Sequence, residues 1–410
     1  MVTVVEPVPA SERFTGGGRT MMIALGLGAL GLVVTAALYL VNMGDPAASR
    51  GVLASYLTAF VYWIGIAIAM SIWLAIFHAA KARWPIVVRR PMETVGASIP
   101  VFVVLVIPIL LGMGKLFSWV DPSAGHFDAE QLRLLAHKQP YLNPTFFTLR
   151  TLLYFVICGG AALLQWRWSV DQDETGSIEN LKRMRTLGPA SLPFLGLAIT
   201  FAGFDWLMTL DPFWGSTVFG AYYFAGSFKC AMALLTLITV LSNRAGLFGR
   251  MVTKEHLHNL GKLMFAFTAF WAYIAFSQFM LIWIANIPEE GAWYLVRMKG
   301  EWQWVGIALV VCNFVLPFFF LLPRSTKMNR STLAFAACWL LFFHLVDLHW
   351  IIRPAIGQAH FELGAFSQTV VAWVGVGGMA VAFGLWLAKG RHTVPIKDPF
   401  LADSLRYVQP

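Results

Sequence analysis

Ten stretches of the chain are apolar over about twenty residues each, at roughly 21 to 41, 53 to 78, 95 to 113, 146 to 166, 189 to 210, 213 to 241, 258 to 285, 303 to 322, 331 to 350 and 366 to 387. Twenty residues of α-helix reach about 30 Å, the thickness of a bilayer's hydrocarbon core. Backbone in hydrocarbon must satisfy its own hydrogen bonds, so runs of this length and period are expected as helices. Only 12% of the residues are charged and 58% are hydrophobic, whereas a soluble domain carries about 25% charge. The expected class is an all-α polytopic membrane protein. Its transmembrane domain covers 21–387, between tails at 1–20 and 388–410.

An even number of spans puts both tails on one side. The tails and the even-numbered loops hold twenty of the thirty Lys and Arg residues, and the odd-numbered loops hold seven. By the positive-inside rule both termini are expected in the cytoplasm. The formal charge of +9 therefore reads as topology and not as a nucleic-acid surface. Cys158, Cys230, Cys312 and Cys338 stand singly inside spans, with no C-x-x-C pair, which argues for small packing residues over disulfides, zinc or iron–sulfur ligation. The first apolar run is too long for a signal peptide and lacks a clear cleavage site.

The loops carry weaker signals. In the second, KARWPIVVRRPMET, two prolines argue against a continuous helix, and the basic residues read first as an orientation signal, with lipid or subunit contact as the alternative. In the third, from Lys115 to Thr145, LFSWVDP and AEQLRLLAHK suggest short amphipathic interfacial helices. Trp119, Tyr141, Trp214, Trp293 and Tyr294 fit an external aromatic belt. The fourth, RWSVDQDETGSIENLKRMRTLGP, is expected as a solvated helix ending at Gly188 and Pro189. The EHLH run around His256 and His258 spaces its imidazoles by two, on different sides of a helix and without a third ligand, which disfavours a metal.

Chemistry in such a chain is expected where charge enters the spans. The hairpin FAGFDWLMTLDPFWGSTVFGAYYFAGSFK, residues 201 to 229, holds Asp205 near its turn and Lys229 near mid-membrane, too far apart in depth to pair. Asp211 as N-cap and Pro212 as first helical residue predict a tight turn and a prompt new helix. Sorted by depth, Arg150, Asp205, Gln278, His344, Asp347, His349 and Arg353 fall in the external half. His78, Glu93, His256, His258 and Lys262 fall in the cytoplasmic half, with Lys229 between. Carboxylate, imidazole and desolvated lysine can all exchange protons, so the pattern suggests two half-channels around a central relay. Ion pairs and hydrogen bonds that only lock helices together are the competing explanation. No two histidines share an obvious depth, which argues against haem b.

Three stretches carry a family resemblance: FDWLMTLDPFWGSTVFGAYYFAGSF at 204 to 228, FWAYIAFSQFMLIWIANIPEEGAWYLVR at 270 to 297, and HLVDLHWIIRPA at 344 to 355. With the ten-span plan they resemble the NrfD and polysulfide-reductase membrane-subunit family, in particular the ActF-type subunit of alternative complex III. The resemblance implies two four-helix bundles, spans two to five and six to nine, with flanking helices. It implies a subunit of a quinol:electron-acceptor oxidoreductase without a redox cofactor of its own. Partners would be a second NrfD-like subunit, an iron–sulfur subunit and haem c subunits, which hold the clusters and haems. The role implied is structural with a candidate part in proton translocation. Asp205, His344, Asp347 and His349 would form the external polar group, Lys229 the relay, and His258 and Lys262, with His78, the cytoplasmic inlet. Binding of a quinone such as menaquinone stays open, with Asp205 or His344 as its candidate contacts.

Two other classes compete. A secondary transporter also uses midplane charge and broken helices, and Pro100, Pro108 and Pro317 interrupt spans here, but no internal repeat is evident in the sequence. A purely structural membrane anchor would use the same charges for packing alone.

Overall fold

A computed structural model of the chain describes residues 13–124 and 127–408; residues 1–12 of the expected amino-terminal tail and the last two residues lie outside it. Among the described residues, ten helices are long and apolar enough to cross a membrane: Gly18–Val41, Pro46–Ala79, Ile86–Leu111, Pro144–Thr175, Ile178–Leu210, Phe219–Arg244, Lys254–Ala285, Trp302–Leu321, Arg330–Ala355 and Leu363–Ala388. The chain is a polytopic membrane protein.

Spans two to five form one four-helix bundle and spans six to nine a second. The second span is the axis of the molecule, buried along nearly its whole length and packed on spans five, six, nine and ten. Its Ala, Gly and Ser positions let neighbours approach closely, the usual means of packing helices in lipid. Gly65 shows this: a Cβ there would stand 2.7 Å from the Tyr223 hydroxyl. Spans one and ten flank the bundles and cross backbone to backbone, where a Cβ on Gly31 would lie 2.7 Å from the Gly375 Cα. Lipid-facing rows such as Leu149, Leu152, Leu153 and Val156 on the fourth span stay exposed.

An isolated bridge between Arg13 and His392 places both described ends on one face, called here the terminal face. That face is held by a buried ionic network. Arg89 Nε donates to Glu93 Oε1 at 2.9 Å and Arg89 Nη1 to Asp398 Oδ2 at 2.6 Å. Arg90 Nη1 donates to Glu93 Oε2 at 2.7 Å, and its Nη2 to Asp173. The basic second loop is thus neither free topology charge nor a lipid contact at these two residues. Carboxylates from the fourth span and the carboxyl-terminal segment neutralise the pair. The third span consequently starts nine residues earlier than its hydropathy, and its helix runs through Pro91.

Other expectations change as well. The fourth-loop helix does not end at Gly188 and Pro189 but continues as the fifth span to Trp206, carrying Pro189 and Pro193 inside it. Proline removes one intrahelical bond, and a packed membrane helix tolerates that loss. In the third loop AEQLRLLAHK is a helix over Ala129–Lys138 with an Asp128 capping box, while SWVDP is not helical beyond a short Pro122–Ala124 turn. The hairpin turn is longer than expected. Asp211 Oδ1 accepts from Phe213 N at 3.2 Å, a local turn contact and not a helix cap, and the sixth span begins only at Phe219. Packing holds this open turn: Trp214 stacks on Trp293 with centroids 4.8 Å apart and donates to the Glu290 carbonyl. Trp119, Trp214 and Trp293 are all buried within the chain, so they are core aromatics and not a belt facing lipid.

Candidate functional site

Each bundle places one aspartate on its fourth helix, near the face opposite the termini. Asp205, on the fifth span, is fully buried and saturated. Arg150 of the fourth span grips it with two prongs, Nε to Oδ2 at 2.8 Å and Nη2 to Oδ1 at 2.8 Å. Tyr154 donates to Oδ2 at 2.5 Å and Tyr141 to Oδ1 at 3.0 Å. The guanidinium also donates to the Tyr141 carbonyl at 2.9 Å and lies over the Tyr141 ring, 3.8 Å from its centroid. Burial and the adjacent carboxylate raise the Tyr141 hydroxyl well above its ordinary range, which keeps it a donor. Four donors fill the four acceptor directions of the carboxylate, so Asp205 offers no vacant edge to a ligand.

Asp347, on the ninth span, differs. Tyr222 of the sixth span donates to Oδ1 at 2.5 Å and the Trp271 indole of the seventh to Oδ2 at 3.2 Å. His344 Nδ1 makes a long contact of 3.8 Å with Oδ2, and neither of its ring nitrogens is within hydrogen-bonding distance of an acceptor or donor. No Lys or Arg lies within ion-pair distance of Asp347 among the described residues. The His344 ring sits against Gly226, where a Cβ would meet Cε1 at 2.8 Å.

Lys229 lies against the face of Trp271. Its ammonium is fully buried, 4.5 Å from the centroid of that ring, and donates to Asn313 Oδ1 at 2.7 Å. Asn313 reaches it from a π-helical stretch, Leu309–Val315, just before Pro317. Such wide turns reposition side chains and recur at functional sites. One indole thus touches both the buried cation, through its face, and the buried anion, through its N–H.

Toward the far face the line continues separately. His349 Nδ1 is 3.0 Å from Thr369 Oγ1, which lies 3.2 Å from Ser55 Oγ, and Arg353 donates to that serine. At the terminal face, His258 is buried and Lys262 half-buried on the seventh span. Lys262 lies near Lys327, whose ammonium burial lowers, with Lys262 adding to the effect. His256 instead caps its own helix through Thr253, and His78 packs against Gly188 of the fifth span. The structure therefore gathers Lys229, His344 and Asp347 around Trp271. It ties Asp205 to Arg150, separates His349 into a hydroxyl cluster, and packs His78 against the fifth span.

A cavity of about 650 Å³ adjoins the Asp347 cluster between spans six, seven and eight. Tyr222, Trp271, Gln278, Tyr294, Arg297 and Trp350 are among its lining residues. Gln278 is buried and its Oε1 has no partner. Arg297 is stacked on Trp293 at 3.4 Å and donates to the carbonyls of Trp293, Trp350 and Ile351. Burial lowers it to about 9. Among the described residues no cluster of three His, Cys, Asp or Glu side chains could hold a metal ion.

Sequence reasoning passed over Tyr222, Trp271 and Asn313 as aromatic or neutral. Asp205 and Asp347 each precede a proline by seven residues, Pro212 in the hairpin turn and Pro354 inside the ninth span. No protein-family model matches the chain, and no curated protein matches it either.

Proposed function

We propose that this chain is a proton-relaying membrane subunit of a quinol:electron-acceptor oxidoreductase, of the NrfD-like, ActF-type kind that its sequence resembles. The observation that carries the relay is the buried sequence Lys229, Trp271, Asp347, His344, in which an ammonium and a carboxylate share one indole and an imidazole stands 3.8 Å from that carboxylate. A buried carboxylate held only by neutral donors can trade a proton with the nearby imidazole without breaking an ion pair. The chain's own residues supply that exchange: Tyr222 orients the carboxylate, Gly226 leaves room for the ring, and Asn313 holds the ammonium. His258 and Lys262 lie toward the cytoplasm in this reading, and His349 toward the outside. Electron carriers, iron–sulfur clusters and haem c, belong to partner subunits.

A second reading concerns quinone. Asp205 is filled by Arg150 and two tyrosines, whereas the cavity beside Tyr222 and Trp271 has aromatic walls and an unpaired Gln278 oxygen. A flat quinol head with an isoprenoid tail suits that space, with its hydroxyl donating to Gln278. Quenching of tryptophan fluorescence by a short-chain quinone tests it. Gln278→Leu is expected to weaken binding about three- to tenfold, one hydrogen bond's worth; unchanged quenching removes the site.

For the relay, the complex is purified from membranes and reconstituted into vesicles, and proton uptake per electron is measured. Lys229→Ala is expected to abolish the uptake that exceeds scalar quinol chemistry. Uptake equal to that of the parent protein, or purification of the chain without haem c and iron–sulfur partners, would overturn the proposal.

A further inference from the structure

A polar cavity lies at the far face, apart from the Lys229–Asp347 cluster. It has a volume of about 720 Å³ and is bounded by the starts of the second and tenth spans, the end of the ninth, and the segment after the third. Three cations line it: Arg50, Lys115 and Arg353. None is in an ion pair among the described residues.

Their hydrogen bonds all go to neutral groups and are incomplete. Arg50 Nη2 donates to the Leu116 carbonyl at 3.2 Å, and its buried Nε has no acceptor. Lys115 Nζ reaches Ser49 Oγ at 3.4 Å and lies 5.1 Å from the centroid of the Tyr39 ring. Arg353, only 2% exposed, donates to Gln358 Oε1 at 3.2 Å, to the Ala365 carbonyl at 3.0 Å and to Ser55, while its Nε is also unpartnered. Gly51 brings two of these cations together, because a Cβ there would lie 3.2 Å from Arg353 Nη1, one residue from Arg50. Two carboxylates, Asp121 and Glu362, share the lining, and Glu362 acts electrostatically on Arg353.

Buried guanidinium N–H groups without acceptors are costly, and an oxyanion with several oxygens satisfies them best. The position selects among oxyanions. The cavity lies at helix ends, where headgroups meet water, and exposed apolar side chains adjoin it: Leu363 next to Glu362 and Gly364, and Leu111 and Met43 on neighbouring segments. We infer that this cavity holds the phosphate of an anionic phospholipid, with the phosphodiester oxygens on Arg50, Lys115 and Arg353 and the acyl chains along the exposed leucines. Glu362 and Asp121 disfavour a second negative charge, so a singly charged headgroup such as phosphatidylglycerol fits better than a phosphomonoester.

The full chain, purified in detergent and transferred to nanodiscs of mixed phosphatidylglycerol and phosphatidylcholine, is released into a native mass spectrometer, and retained lipid is counted. The parent protein is expected to hold one phosphatidylglycerol that survives activation. Arg50→Gln combined with Lys115→Gln is expected to lower that retention about thirtyfold, the contribution of two surface cations. Lys182→Gln, at an exposed cation on the terminal face, serves as the control and should leave retention unchanged. Thermal stability with 10 mM inorganic phosphate supplies the second arm. Stabilisation by phosphate that the double variant loses, without retained lipid, keeps the oxyanion site and replaces the lipid by a free anion. Equal retention and equal phosphate response in parent and double variant would overturn the inference.

Discussion

Asp205 and Asp347 hold corresponding places in the two four-helix bundles, each on the fourth helix and seven residues before a proline, yet they are built for different tasks. Asp205 is clamped by a bidentate guanidinium and two phenols. Asp347 receives one phenol and one indole N–H, and an imidazole stands at 3.8 Å. A buried carboxylate locked to arginine contributes geometry: it pins the fourth span to the fifth. One held by neutral donors, with an imidazole 3.8 Å away and an ammonium on the face of the shared ring, has no such lock. The two bundles thus hold one aspartate clamped by arginine and one held by neutral donors, the labile acid of the proposed relay.

The largest expected effect tests the static half. Arg150→Ala leaves Asp205 as a buried charge without its counter-ion, and is expected to destabilise the protein by about 3–5 kcal/mol, read as a lower melting temperature in detergent. A loss under about 1 kcal/mol would remove the distinction between the two acids. Asp347→Asn tests the labile half. It preserves shape and is expected to fold, while proton uptake falls by about a hundredfold or more, as when a general acid–base group is removed. Asp205→Asn should reverse the pattern, with unstable protein but near-normal uptake in the folded fraction. Gly226→Ala follows in size. The new Cβ meets His344 Cε1 at 2.8 Å, so overpacking of about 1–3 kcal/mol is expected together with a displaced ring and slower uptake. Full uptake with intact stability would show that His344 needs no fixed place beside Asp347.

The fold was readable because hydrocarbon thickness and backbone satisfaction leave few options for apolar runs of this length. Depth was readable too: Arg150 and Asp205 were grouped in one half of the membrane by counting alone, and Asp205 and Lys229 were kept apart. Counting along a helix gives height but not azimuth relative to a neighbour. For that reason the pairing of Tyr222 with Asp347, and the indole between Lys229 and Asp347, could not be seen. The π-turn that delivers Asn313 is invisible for a similar reason, since its only trace is Pro317 four residues later. Arg89 and Arg90 misled in the opposite direction. Basic residues at a helix start look like topology signals whether or not carboxylates from distant segments bury them.

The smallest effect is the most informative about the labile acid. Trp271→Phe keeps an aromatic face near Lys229 but deletes the N–H that reaches Asp347 Oδ2 at 3.2 Å. The lost neutral hydrogen bond is expected to cost about 1 kcal/mol in stability, well below the Arg150 deletion. Lys229 retains its bond to Asn313 and a π surface beneath it, so the ammonium should remain in place while the carboxylate loses one of its two fixed donors. Asp347 then leans on Tyr222 alone, and uptake should slow several-fold without vanishing. A destabilisation as large as that of Arg150→Ala would mean that the indole is itself a structural clamp, and that the two aspartates differ only in which side chain holds them.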